Sequence, residues 1–227
     1  MTHKNLALFD LDHTLLPIDT DVEWVDFLAR NNLAGDPELI QKKNQELMDK
    51  YTAGVLRIEE SAEFMLGFLK MHTPYDLARF HEKFMCDVVR PAIKQSAIEL
   101  VKQHQESGDL CCIVTATNTF VTAPVARAFG IENLIGVLPE YTNGRYTGHF
   151  VGTPSYREGK VTRVNEWLSS LGKTLNDFNA TYFYSDSQND LPLLEVVSNP
   201  VATNPGEVLR KTAEEKGWPV IDLFALK

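Results

Sequence analysis

Basic residues are in short supply: 22 Lys and Arg stand against 31 Asp and Glu, leaving a formal net charge of −9. A surface of that sign repels phosphate over any broad contact, which excludes a nucleic-acid binder that works by charge. Cysteine is scarce too, and the three present, Cys86, Cys111 and Cys112, make an odd count. The vicinal pair lies in an apolar run where neighbouring side chains point to opposite faces, so a disulfide scaffold is excluded. Long apolar runs are missing. Met1-Thr-His-Lys-Asn5 leads into four apolar residues before Asp10, far short of a secretory core or the roughly 20 residues that a bilayer span needs. A cytoplasmic protein without a membrane partner is expected. No internal repeat or linker is visible, and His3, His72, His81, His104 and His149 show no metal-ligand spacing.

What is present is an ordinary globular composition, 44% hydrophobic and 23% charged over 227 residues. That length accommodates a core with a sizeable insertion. Leu6-Ala-Leu-Phe9 reads as a buried parallel strand that delivers Asp10 and Asp12 at its carboxyl end. From Asp19 to about Val89 the pattern turns helical: one segment carries Trp24, Val25 and Leu28, a second is opened by Asp36-Pro37 and closed by Gly54, a third spans Ile58 to Met71, and a fourth starts at Thr73-Pro74. Trp24, Phe27, Phe64, Phe68, Phe80 and Phe84 form the core of this block.

Beyond Pro91 helices and strands alternate. A helix over Ala92 to Gln105 precedes the strand Leu110 to Val114, which ends in Thr115. A helix then runs from about Phe120 to Gly130, and Asn143-Gly144 marks a hairpin. Gly159-Lys160 opens another helix, and Thr181 to Tyr184 is a strand ending in Ser185-Asp186-Ser-Gln-Asn-Asp190. Pro200-Val-Ala and Val220 to Leu223 read as edge strands. The fold class expected is α/β, a doubly wound parallel-sheet (Rossmann-like) core formed by residues 1–17 and 90–227, with a helical cap, 18–89, inserted after the first strand. In such a sheet the carboxyl ends share one edge, so Asp10, Asp12, Thr115 and Asp186 converge there.

Taken singly, these residues are ambiguous. Asp10 and Asp12 suit a nucleophile and a proton donor, yet a bare Asp-x-Asp is more often a metal-binding or strand-capping pair. Asp186 and Asp190 offer hard oxygen donors for a small Mg²⁺ site, or simply form an Asx-rich turn. The Thr115 hydroxyl and the amides of Ala116 and Thr117 suit a phosphate oxygen, and Lys160 suits its charge, but Thr115 alone caps a helix and a lysine alone is a surface charge.

As an ordered set, however, these elements resemble the four motifs of the haloacid dehalogenase superfamily of phosphohydrolases. Asp10-Leu-Asp-His-Thr14 resembles the first motif, Ile113-Val-Thr-Ala116 the second, Lys160 the third and Ser185 to Asp190 the fourth. A helical cap after the first strand is similar to the phosphoserine-phosphatase-like branch, and Thr115-Ala-Thr-Asn118, Arg145-Tyr-Thr-Gly148 and Phe183 to Pro192 look most like its bacterial histidinol-phosphate phosphatases. The resemblance implies an aspartyl-phosphate on Asp10, Asp12 as general acid and base, and Thr115 and Lys160 holding the phosphoryl group. It implies Mg²⁺ held by Asp10, the Asp12 carbonyl and Asp186, with Asn189 and Asp190 in supporting positions. The departure is Tyr184-Ser185, where the family often has Gly before the first aspartate; a change in loop packing is expected there, not in chemistry.

Asp12 argues against the dehalogenase members, because carbon–halogen displacement needs no acid for an alkoxide. Asp19, Asp21 and Glu23 suit a cationic substrate group, and Asp19 stands nine positions after Asp10, where phosphoserine-cleaving relatives bind the amine. The helix dipole favours the same acids at a helix start whatever the substrate. Phosphoserine would also need an arginine for its carboxylate, with Arg57 and Arg79 as candidates, whereas histidinol phosphate needs none. The expected substrate is therefore a small amine-bearing phosphate ester, histidinol phosphate before phosphoserine. A phosphate-responsive regulatory module is the alternative from another class.

Overall fold

The computed structural model describes residues 4–225, so the reading of Met1 to His3 lies outside the described residues. Seven strands form one sheet: β1 (Asn5–Phe9), β2 (Leu110–Asn118), β3 (Asn133–Thr142), β4 (Arg145–Val151), β5 (Ala180–Ser185), β6 (Asn199–Thr203) and β7 (Val220–Ile221), in the order β4-β3-β2-β1-β5-β6-β7. All neighbours pair in parallel except β3 and β4, the hairpin turned at Asn143-Gly144. This is the doubly wound α/β class, and the alternation of side chains along its strands serves both faces. Ala7, Phe9, Cys111 and Ile113 enter one apolar cluster, while Leu6, Leu8, Cys112 and Val114 enter the other.

Between β1 and β2 lie α1 (Thr20–Arg30), α2 (Pro37–Thr52), α3 (Ile58–Met71) and α4 (Pro74–Phe84), then a wide π-turn (Met85–Val89), the single turn α5 (Arg90–Ala92) and α6 (Gln95–Glu106). The remaining helices are α7 (Thr119–Ala128), α8 (Glu158–Ser170), α9 (Leu191–Leu194) and α10 (Glu207–Lys216). Local chemistry accounts for the starts. Asp19 accepts from the Val22 amide at α1, Asp36 caps α2 ahead of Pro37, and Thr73 caps α4 ahead of Pro74. Pro91 has no N–H for the carbonyl four residues back, and the wide turn before it absorbs that mismatch, with the Arg90 amide bonding the Met85 carbonyl.

Trp24 is fully buried and meets Phe84 edge-on, ring centres 5.3 Å apart, and Phe27 at 5.9 Å. Such pairs add about 0.5–1.5 kcal/mol each beyond their burial. The aromatic series is thus packing, and it is continuous with the cluster on one face of the sheet.

Three expectations are corrected. The helix expected over Ala92 to Gln105 begins at Gln95, because the chain breaks into extended backbone at Ile93 after Pro91. β6 is no edge strand: it lies between β5 and β7. Strand β2 runs three residues past Thr115 to Asn118, with a register shift against β3 between Val114 and Asn118. Gly136 on β3 permits this close pass, since a Cβ there would stand 2.7 Å from the Thr117 carbonyl oxygen. The pairing of β3 with β2 was not foreseen, because its apolar residues are shared with the hairpin signal.

Candidate active site

Sheet register assembles the site. Phe9 is level with Ile113 on one side and Tyr184 on the other, so Asp10, Thr115 and Asp186 all follow within two residues of the same level. The loop after Phe9 is anchored by fully buried Leu11, Leu15 and Leu16, with the Leu15 and Leu16 amides bonding the Leu11 carbonyl at 2.8 and 3.0 Å. His13 takes a left-handed conformation there (φ 57°), and Asn204 donates to the His13 and Thr14 carbonyls at 3.0 and 3.2 Å. Asn204 was not foreseen; a lone Asn after a strand carries no signal.

Asp10 is 5% exposed and Lys160 2%. The Lys160 ammonium donates to Asp10 Oδ1 at 2.8 Å and to Asp190 Oδ2 at 2.7 Å. Burial works against the lysine's charge, but the two carboxylates outweigh it and hold its pKa above the ordinary value. Burial likewise raises Asp10, with Lys160 opposing, and carries Asp190 to about 6. Ser185, the departure from the family pattern, donates to Asp190 Oδ2 at 2.6 Å and accepts the Ser187 amide at 3.1 Å. The missing glycine is thus replaced by a residue that ties the loop to Asp190.

Lys160 reaches this position because Gly159 precedes it: a Cβ on Gly159 would stand 2.0 Å from the Pro154 carbonyl oxygen. Thr14 bridges the first and fourth motifs, its hydroxyl 3.2 Å from both Asp10 Oδ2 and Asp186 Oδ1, with the Asp186 amide donating back to it at 3.0 Å. Burial and the charges of Asp10 and Asp190 raise Asp186 well above a normal carboxylate. Two carboxylates this close, with one lysine turned to Asp10 and Asp190, form a hard-oxygen set with surplus negative charge, which fits a divalent cation. Among the described residues no cluster of three His, Cys, Asp or Glu side chains has metal-binding geometry; the third protein donor expected here is a main-chain carbonyl.

Asp12 lies to one side of this set, held by the Thr20 amide on Oδ1 and the Thr117 hydroxyl on Oδ2, both at 2.8 Å. Those bonds favour the charged form, but burial and the Asp19 charge prevail and lift its pKa to about 6. Asp19 is also lifted to about 6, chiefly by burial. It caps α1, as the helix-start reading expects, and its residue is also among those lining the cavity.

One cavity is lined by Asp10, Asp12, Asp19, Thr115, Ala116 and Asp186, together with Asp21, Tyr51, Met65 and Tyr156. Lys160 and Asp190 stand behind it. Thr115 Oγ1 accepts the Thr117 amide at 3.1 Å, which leaves its proton free to donate. Asn189 has both ends of its amide engaged elsewhere, accepting from Arg157 Nε at 3.2 Å and donating to the Tyr51 carbonyl at 3.2 Å. Arg157, at φ 51°, also bonds the Gly54 carbonyl, and Gln188 reaches the Thr52 carbonyl at 3.1 Å. The C-terminal end of α2 is thereby clasped to the fourth motif. Sequence reasoning missed Arg157; its adjacency to Gly159-Lys160 was the available signal. Arg57 and Arg79 are both exposed and line no part of the cavity.

Residues 7–195 match the family model for haloacid dehalogenase-like hydrolases. The chain belongs to that family. It is 45% identical over 220 residues to a histidinol-phosphatase of Neisseria meningitidis, with 96% of this chain and 99% of that one covered. A crystal structure of a protein of unknown function from Bordetella pertussis Tohama I superposes with a TM-score of 0.94 at 57% identity, over 98% of this chain and 100% of that one. A phosphoserine phosphatase solved as a phospho-aspartyl intermediate analogue shares the fold, with a TM-score of 0.67 at 18% identity over 97% and 93% of the two chains. Within the haloacid dehalogenase-like hydrolases this chain is a phosphatase. Among the described residues no helix is long and apolar enough to cross a membrane.

Proposed function

We propose that the chain hydrolyses a small amine-bearing phosphate monoester, histidinol phosphate ahead of phosphoserine, through an aspartyl-phosphate on Asp10. The observation that carries the substrate choice is the lining of the cavity. Asp19 and Asp21 are in it, and among the described residues no Arg or Lys lines it. A substrate cation has carboxylate partners there, and a substrate carboxylate has no Arg or Lys to pair with. The 45% identical Neisseria meningitidis histidinol-phosphatase supports the same choice.

Asp10 Oδ1, oriented by Lys160, attacks phosphorus, and the ester P–O bond breaks as Asp12 passes its proton to the leaving alkoxide. A pKa near 6 gives Asp12 a useful protonated fraction near neutral pH and leaves it basic enough for the second half. There it takes a proton from the water that attacks the aspartyl-phosphate, and inorganic phosphate leaves. Thr115 and the Ala116 amide hold phosphoryl oxygens, and Lys160 offsets their charge. Asp10, Asp186 and the Asp12 carbonyl would hold Mg²⁺, which when bound supplies Lewis-acid stabilisation of the phosphoryl charge. Residues 18–89 act as a cap over the site, and a free metabolite as substrate fits a cytoplasmic location. A regulatory phosphate switch is disfavoured, since it has no use for a rapid base at Asp12.

The test is phosphate release with Mg²⁺ from histidinol phosphate, phosphoserine and an aryl phosphate, beside Asp10→Asn. Selective turnover of histidinol phosphate, lost in the variant, is the expected result. Preference for phosphoserine would overturn the substrate, and turnover retained by Asp10→Asn would overturn the nucleophile.

A further inference from the structure

The cavity is also lined by residues that the phosphoryl chemistry does not use. Asp21, in the first turn of α1, lines it and accepts a hydrogen bond from Asn118 Nδ2 at 2.9 Å, with the Thr117 hydroxyl beside it. Lys160, the ammonium nearest the site, is committed to Asp10 and Asp190, and among the described residues no ion pair reaches Asp19 or Asp21. Asn44, from α2, lines the same cavity and is 4% exposed. Its amide nitrogen donates to the Val22 carbonyl at 3.3 Å. A carbonyl only accepts, so the amide's orientation is determined, and Asn44 Oδ1 is left buried with no hydrogen-bond partner among the described residues. A buried acceptor without a protein donor is costly, and a ligand N–H satisfies it.

The walls beside these polar groups are apolar, made by Met48, Leu56, Ile58 and Met65. A flat ring with polar edges fits such a place: its faces lie on methyl and thioether groups while its N–H groups meet oxygen. We infer that Asp21 and Asn44 form a second recognition point, separate from Asp19, which takes the N–H edge of a nitrogen heterocycle at the end of the ester away from phosphorus. This rests on the reading of the substrate as an amine-bearing ester. Asp19 meets the amine near the phosphate, Asn44 Oδ1 accepts one ring N–H, and Asp21 pairs with the ring when it is protonated. An imidazole carries both features; a carboxylate, as in phosphoserine, would be repelled.

The experiment compares kcat/KM for histidinol phosphate with that for phosphoethanolamine, which has the amine but no ring. Wild type, Asn44→Ala, Asn44→Asp and Asp21→Asn are measured with Mg²⁺, and melting temperatures establish that each is folded. Asn44→Ala and Asp21→Asn are expected to lower the ratio of the two values roughly tenfold to a hundredfold, the loss typical of a buried hydrogen bond to a charged or N–H group. Asn44→Asp, which keeps an acceptor, restores most of the ratio. A ratio unchanged in Asn44→Ala and Asp21→Asn would overturn the second recognition point, whatever the absolute losses. A wild type that cleaves phosphoethanolamine but not histidinol phosphate would overturn the parent reading as well, and is told apart because it needs no variant.

Discussion

Replacing Asp12 by Asn should make the metal-free protein more stable while abolishing its turnover. Asp12 titrates near 6 in the folded chain against an ordinary value of 3.8, because burial and the Asp19 charge outweigh the bonds from Thr20 and Thr117. For an acid whose folded pKa is raised, the native state binds the extra proton, so stability falls as pH rises from about 4 to about 6 and the full cost is present above that. The gap corresponds to about 3 kcal/mol at neutral pH. Asp12 keeps some contact with solvent, and screening reduces the expected cost to roughly 1–2 kcal/mol. Asn retains an acceptor for the Thr20 amide and a polar partner for the Thr117 hydroxyl, so little bonding is lost. For a chain of this size the gain is roughly 2–8 °C in Tm. Thermal unfolding in EDTA at pH 7.5 and pH 4.5 is the assay, with the advantage of Asp12→Asn present at the first pH and largely gone at the second. A variant no more stable than wild type at pH 7.5, or equally advantaged at both, would refute the reasoning. With an activated ester the variant should also accumulate phosphoenzyme that it does not hydrolyse, since only the second step needs Asp12 as a base when the leaving group needs no acid.

Gly159→Ala would press a methyl group to within 2.0 Å of the Pro154 carbonyl oxygen, and should cost at least about 2 kcal/mol by overpacking; a melting curve and activity together test this, with loss of both expected as Lys160 is displaced. Arg157→Ala removes the contacts to Asn189 and the Gly54 carbonyl. It should speed proteolytic cleavage near Thr52–Leu56 and lower kcat/KM several-fold, and an unchanged cleavage rate would show that the clasp does not restrain α2.

Much of this site was legible because it follows strands. Asp10, Thr115 and Asp186 all stand just beyond apolar runs, and parallel pairing forces such positions to one edge of the sheet. The helices of residues 20–84 were legible for another reason: Asp19, Asp36 and Thr73 announce their starts, and the aromatic periodicity marks their buried face. What could not be read depends on tertiary approach. Whether a strand is central or at the edge is decided by partners far along the chain, so β6 was misplaced and the core pairing of β3 went unseen. Arg157, Asn44 and Asn204 act through main-chain carbonyls of other segments, and a bond to a carbonyl leaves no trace in the partner's residue type. Asp19 shows the converse. Capping and the proposed ligand reading both ask for an acid at that position, so the residue type alone does not separate them; the structure shows the cap.

The charge balance explains why the helices and the sheet must meet over the site. Asp10 and Asp190 share one lysine with Asp186 beside them, while Asp12, Asp19 and Asp21 lie nearby with neutral hydrogen-bond donors alone among the described residues. Burial raises the pKa of each, which is the mark of carboxylates held ready for positive charge that the chain does not supply. In the proposed reaction a divalent cation at Asp10 and Asp186 would answer the first group and a substrate ammonium the second. The two are linked through position, because α1 carries Asp19 and Asp21 on the same helix start whose Thr20 amide holds Asp12. A substrate cation at Asp19, as proposed, would therefore act next to Asp12: it would remove part of the repulsion that raises Asp12 and move its pKa down. The pH profile of kcat for an amine-bearing ester should accordingly lie to the acid side of the profile for an aryl phosphate. Coincident profiles would mean that Asp12 does not sense the charge at Asp19.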